Sequence, residues 1–138
     1  MTVLIGTKEE PVRIRGVHGG LGDLYWKCFV RLHMTHAPLA GFEYVLIPSG
    51  TAIGRHKHSR TEEIYFILSG AGLMHQDEDS AEVGPGDLIM TRRDVTHSMD
   101  VLGDAPVELL VIEIYPPDVL DRLPAHSPEA DAEAEEGR

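Results

Sequence analysis

Short apolar runs, each cut off by turn residues, constrain this chain's fold more tightly than any other feature. "GFEYVLI" ends at Pro48-Ser49-Gly50, and "TEEIYFIL" ends at Ser69-Gly70. "GLMHQ" leads into the polar hairpin "DEDS", "DLIMT" follows Gly84-Pro85-Gly86, and "PVELLVIEIY" closes at Pro116-Pro117. Fourteen glycines and nine prolines in 138 residues punctuate the chain too often for a helical bundle. Strands this short expose their edges unless the sheet closes or doubles into two layers. The expected fold is therefore all-β, a single-domain barrel or double sheet.

Composition adds bounds. Hydrophobic residues make up 42%, enough for one core at this length. No apolar run approaches the roughly 20 residues of a membrane-spanning helix. "MTVLIGTKEE" lacks the basic and long apolar segments of a signal peptide. The single cysteine, Cys28, cannot form an intramolecular disulfide, so a cytoplasmic, reducing location is expected. A net charge of −11 argues against nucleic acid or an anionic membrane as partner. Part of that charge lies in 125–138, where Glu129, Asp131, Glu133, Glu135 and Glu136 face Arg138. This segment reads as a disordered acidic tail after a globular domain, 1–124, that ends in the amphipathic turn "PDVLDRLP". Within "DLYWKCFVRLHM", strand alternation puts Trp26, Cys28, Val30, Leu32 and Met34 on one face, with Cys28 as a small buried residue.

"GRHKHSRTEEIYFILSG", from Gly54 to Gly70, carries the chemistry. His56 and His58 lie two apart, so on a strand both imidazoles project from one face. Two imidazoles can share an ion at ~2 Å but do not complete a site. A turn at Ser59-Arg60-Thr61 would let a carboxylate from the next strand join them. Parity leaves two choices: Glu62, on the face of Ile64, Phe66 and Leu68, or Glu63, on the face of Tyr65 and Ile67. His97, after a separate strand, offers a third imidazole. Such an N/O donor set suits Fe(II), Mn(II), Ni(II), Cu(II) or Zn(II).

These spacings resemble the cupin superfamily. Its first motif, G-x5-H-x-H-x4-E-x6-G, is matched at Gly50, His56, His58, Glu63 and Gly70. The resemblance thus assigns Glu63, not Glu62, as the ligand. The second motif, G-x5-P-x-G-x2-H-x3-N, is matched at Gly86 and His97, while Arg92, Asp94 and Val101 replace its proline, second glycine and asparagine. The resemblance runs from about Phe42 to Tyr115. "GVHGGLGDLYW" also resembles the lead-in of small bacterial cupins of the phosphomannose-isomerase-like type. The resemblance implies a jelly-roll barrel, a double-stranded β-helix, holding one divalent transition metal ion, with Fe or Zn favoured, on His56, His58, Glu63 and His97. It implies a metal-dependent enzyme of small-molecule secondary metabolism, of dioxygenase, cyclase or isomerase type, acting on an oxygenated organic substrate. The alternatives are a non-catalytic ligand-binding sensor and an accessory subunit of a biosynthetic enzyme.

Tyr65 and His75 are the candidate catalytic residues: Tyr65 points inward with Glu63, and His75 lies on the next strand, where parity leaves the pocket and solvent equal. His18 reads as an ordinary loop histidine, with the alternative that it reaches the barrel mouth, and His33 and His36 as surface or rim residues. Arg92 and Arg93 read as solvated charges, one of them with the option of holding a substrate carboxylate. With Glu63 inside, the opposite face of Ile64, Phe66 and Leu68 must be covered, and a second copy in a homodimer would do so.

Overall fold

β-branched and aromatic residues fill the runs between turns, and the chain pleats there. The computed structural model describes residues 5–123, and the expected acidic tail, 125–138, lies outside them. The strands are β1 (Val12–Arg15), β2 (Asp23–Arg31), β3 (Leu39–Ile47), β4 (Ala52–Lys57) and β5 (Glu62–Ser69), then β6 (Ala71–Gln76), β7 (Asp79–Val83), β8 (Leu88–Thr91), β9 (Thr96–Leu102) and β10 (Val107–Ile114). A single 3-10 turn covers Val17–Gly19, and the expected amphipathic turn is a short helix, α1 (Pro117–Leu120).

Two antiparallel sheets result. One is six-stranded, in the order β1-β2-β3-β10-β5-β8, and the other is four-stranded, in the order β4-β9-β6-β7. Their inner faces enclose one core. Ile47, Ile67, Val107 and Leu109 from the larger sheet meet Ile53, Met74 and Met99 from the smaller. The all-β double-sheet architecture is as expected from the turn spacing.

Register shifts decide which side chains enter the barrel. In β4, Ile53 pairs with Met99, and His56 pairs with His97. Three residues on β4 thus span two on β9, so one extra residue bulges at Gly54-Arg55. Ile53 and His56 are an odd number apart, yet the bulge lets both face inward. In β2 the shift falls between Cys28 and Val30. The expected single face from Trp26 to Met34 is broken there. β2 ends at Arg31, and Met34 lies beyond it, exposed. Cys28 is half-buried, its thiol 3.3 Å from the Val30 carbonyl.

The outer face of β5 and β8 is apolar. Phe66 pairs with Leu88 and Ile64 with Met90, and Phe66, Leu68, Leu88 and Met90 are exposed, Leu88 at 59%. The described residues of this chain do not cover that face. No helix among them is long and apolar enough to cross a membrane.

Gly70 joins β5 to β6 at φ 81°, and a Cβ there would sit 2.2 Å from the Pro106 carbonyl oxygen. Gly103 has φ 73° with open space where its Cβ would be. Gly103→Ala should therefore lose ~1 kcal/mol from backbone strain alone. Gly70→Ala should lose ~2 kcal/mol more, because the carbonyl must move. Urea unfolding of both variants measures the difference, and equal losses would contradict the close approach at Gly70.

Candidate metal centre

His56 and His58 come from β4, Glu63 from the start of β5, and His97 from β9 directly opposite His56. Their Nε2 atoms converge. His56 to His58 is 3.0 Å, His58 to His97 is 2.9 Å, and His97 to His56 is 3.0 Å. The opposite edge of each ring is held by a separate partner. His56 Nδ1–H donates to the Gly54 carbonyl at 2.9 Å, which leaves Nε2 of the neutral ring as a bare lone pair. His58 Nδ1 meets Thr61 Oγ1 at 3.1 Å, and His97 Nδ1 meets Thr91 Oγ1 at 2.8 Å. Gln76 Nε2 donates to the same Thr91 hydroxyl. Such outer partners fix ring orientation and raise ligand basicity.

Glu63 is 4% exposed and points inward, as the motif spacing requires, while Glu62 lies on the other face. Its Oε1 has no hydrogen-bond partner among the described residues. That oxygen lies 3.4 Å from His58 Nε2 and 3.2 Å from His97 Nε2. Tyr65, buried beside it, hydrogen-bonds the same carboxylate, as does Glu113, which faces Glu63 across the β5–β10 register. The Tyr65 ring centroid is 5.5 Å from that of His97.

The donor atoms fit a metal ion. An orphaned buried carboxylate oxygen facing three imidazole nitrogens is costly unless a cation lies among them. The four donor atoms lie within 4.8 Å of one another. Nitrogens ~2.1 Å from a shared octahedral ion lie ~3.0 Å apart, whereas a tetrahedral ion spreads them to ~3.4 Å. The observed triangle fits the octahedral case. His56, His58, Glu63 and His97 can thus hold one ion.

Burial sets the electrostatics. Desolvation pushes Glu63 up to about 7, with the nearby Glu43 adding to it and the hydrogen bonds from Glu113 and Tyr65 opposing. Desolvation, then the neighbouring imidazoles, pushes His97 down to about 3. His56 and His58 are also lowered, chiefly by burial. Tyr65 is held well above the usual phenol value by burial and by Glu63.

The candidate catalytic pair is split. Tyr65 is in the cluster. His75 is not: it alternates with the core residue Met74 and faces outward, with Nδ1 2.8 Å from Ser80 Oγ and Nε2 2.9 Å from Asp100 Oδ2. Arg93 Nη1 donates to both carboxylate oxygens of Asp118, at 2.9 and 2.8 Å, and Arg92 is exposed. His33 and His36 are exposed. Asp94, standing where the second motif has glycine, adopts φ 68°, the left-handed conformation that aspartate tolerates better than most residues. Its N–H donates to the His58 carbonyl at 2.7 Å, so the loop still braces β4.

His18 corrects the expectation of an ordinary loop residue. Its ring stacks on His56, with centroids 3.6 Å apart and planes 15° from parallel. Glu43 and Glu113 were not among the candidates. They did carry a signal, because Glu43 shares alternation with Val45 and Ile47, and Glu113 with Leu109 and Val111, each placing a carboxylate at a core position.

The comparisons with known proteins agree with this geometry. The family model for the cupin domain matches residues 43–113, and the chain belongs to that family. It is 30% identical over 112 residues to an oxalate-binding protein of Thermotoga maritima, covering 81% of this chain and 93% of that one. A crystal structure of a predicted oxalate decarboxylase from Thermotoga maritima superposes with a TM-score of 0.78 at 28% identity, covering 83% of this chain and all of that one. A cupin 2 conserved barrel domain protein from Salinispora arenicola shares the fold, with a TM-score of 0.60 at 17% identity, covering 72% of this chain and 81% of that one.

Ligation requires Glu63 ionised and the imidazoles neutral. His97 is neutral well below pH 6, whereas Glu63 holds its proton up to about 7. A folded-state value raised from the ordinary 4.5 stabilises the metal-free fold at acid pH, and that contribution is lost as pH rises through about 7. Metal affinity should therefore rise ~10-fold per pH unit up to about 7 and then flatten. Calorimetry in buffers of different ionisation enthalpy, at about pH 6, should read about one proton released per ion in the wild type and none in Glu63→Gln. Equal proton release from both proteins would remove Glu63 from the ligand set.

Proposed function

We propose that this chain is a metal-dependent cupin that takes a small oxygenated anion of the oxalate class at the His56, His58, Glu63 and His97 centre, and acts on it as an enzyme of small-molecule metabolism. The observation that carries this reading is the unpartnered, buried Oε1 of Glu63 facing three convergent Nε2 atoms. The name of the Thermotoga relative, an oxalate-binding protein, supports the ligand class. The donor set suits a divalent transition metal, with Fe or Zn first and Mn, Ni or Cu also compatible. When bound, such an ion supplies positive charge that holds and polarises an oxyanion.

The chain's own residues do the remainder. Tyr65 and Glu113 hold the Glu63 carboxylate so that Oε1 stays aimed at the imidazoles. Thr61, Thr91 and the Gly54 carbonyl keep the three rings from turning. The apolar core beneath, with Ile67 and Met99, excludes water from the inner side. His75 has no part in this reading. A second reading, binding without turnover, is favoured by the same relative's name, which states binding and no reaction.

Elemental analysis of protein purified without a histidine tag or chelator tests the centre. About one equivalent of metal is expected, lost in His56→Ala/His58→Ala. The loaded protein should then bind oxalate in a calorimetric titration at least ~10-fold more tightly than that variant. Absence of metal even after anaerobic loading with Fe(II), Mn(II) and Zn(II) would overturn the reading. Absence of oxalate binding by the loaded wild type would remove the ligand class. Release of CO2 from bound oxalate would decide for an enzyme over a binding module.

The homodimer belongs to the same reading, supported by the exposed apolar face of Phe66, Leu68, Leu88 and Met90. Light scattering at micromolar concentration should give twice the chain mass. Phe66→Glu should return it to the mass of one chain, and a wild-type monomer would sink the idea.

A further inference from the structure

The residues of the candidate metal centre are unevenly exposed. His97 is 1% exposed, Glu63 4% and His58 9%, whereas His56 is only half-buried and His18, stacked on it, is exposed. The His18–His56 stack is therefore a solvent-facing part of the site.

The segment around His18 is built to stay there. His18 takes the left-handed conformation, φ 53°. Gly16 N–H donates to the Gly22 carbonyl, Gly20 N–H to the Val17 carbonyl, and Ala52 N–H on β4 to the Leu21 carbonyl. Backbone meets backbone at van der Waals range. A Cβ on Gly54 would lie 2.1 Å from the His18 carbonyl oxygen, and one on Gly20 would lie 2.0 Å from the Ala52 carbonyl oxygen. Gly54 is also part of the β4 bulge that turns His56 inward, so the loop and the ligand strand are fixed to each other.

What His18 offers at that position is unspent. A neutral imidazole keeps one N–H donor. Neither ring nitrogen of His18 forms a hydrogen bond among the described residues, and its ring contact is the stack on His56. The charged side chains near the cluster are carboxylates: Glu43, Glu63 and Glu113 all act on the buried Tyr65. An anion seated at the centre would meet acceptors in these carboxylates and would need a donor from another residue.

We propose that His18 is a ligand-contacting residue, whose ring N–H donates to the outward atom of a small anion bound at the solvent-facing part of the metal centre. This rests on the metal-centre reading above and adds the residue that selects an anion there. Stacking on His56 holds the ring beside the candidate ligands.

The test uses Co(II)-loaded full-length protein, with azide as a small anion that needs no turnover and oxalate beside it. Co(II) affinity and the ligand-field spectrum are read separately from anion affinity. Wild type is compared with His18→Phe, which keeps a stacking ring but loses the donor. His18→Ala removes both, and His18→Asn tolerates the left-handed backbone and keeps an N–H. Azide binding should weaken about 10-fold in His18→Phe and His18→Ala, with Co(II) affinity unchanged, and recover in part in His18→Asn. Unchanged azide affinity in both donor-less variants would overturn the proposal. So would a parallel fall in Co(II) affinity, which would make His18 a support for His56. Azide binding that depends on His18 while oxalate fails to bind the wild type would uphold His18 and remove oxalate as the ligand class. Failure of both anions to bind the wild type would overturn the two readings together.

Discussion

Three imidazole lone pairs and one carboxylate oxygen converge inside a barrel from which water is largely excluded, and the rest of the structure answers to that crowding. Nε2 atoms 2.9–3.0 Å apart gain nothing from one another when neutral. The carboxylate oxygen beside them has lost its water without gaining a donor. The metal-free arrangement is therefore unfavourable in itself, and the surrounding partners hold it in place. The Gly54 carbonyl and the Thr61 and Thr91 hydroxyls each take the far side of one ring, and Tyr65 and Glu113 take the far side of the carboxylate. An ion at the centre turns this cost into binding energy, so folding and metal affinity are one thermodynamic problem.

The sheets solve the placement with a single irregularity. A regular β4 that buried Ile53 would turn His56 and His58 out to solvent. The extra residue at Gly54-Arg55 lets Ile53 fill the core while both histidines face His97 and Glu63. The bulge also carries the loop contact. With no side chain at Gly54, the His18 carbonyl can lie against the β4 backbone.

How much of this could be read from the sequence follows from which features are local. Turn residues at short spacing are local, and they foretold an all-β double sheet. The ligand set followed from a motif whose fixed spacing encodes the turn between β4 and β5; alternation alone left Glu62 and Glu63 equal. Register shifts are not local. They depend on how a strand meets its neighbour, and the one in β2 broke the face expected to run from Trp26 to Met34. His75 shows the same limit, because its side of β6 is set by Met74 filling the core. For His18 the sequence leaves a loop residue and a reach to the barrel mouth as alternatives, and the folded contact between the N-terminal loop and β4 decides for the second. Asp94 shows the reverse case. The family pattern has glycine there, but the loop needs a positive φ rather than the absence of a side chain, and aspartate supplies it.

The charge balance of the cavity links metal to ligand. The chain carries −11 overall, and Glu43, Glu63 and Glu113 all act on the buried Tyr65 of the cluster. Without an ion, these carboxylates would disfavour a bound anion. A divalent ion beside the one ligating carboxylate leaves net positive charge at the centre, in a low-dielectric surrounding where it acts strongly. Anion affinity would then be a property the ion confers. A small anion at the ion would be held, while a longer one whose charge extends toward Glu43 or Glu113 would be disfavoured. In the proposal above, His18 adds the donor that these carboxylates lack.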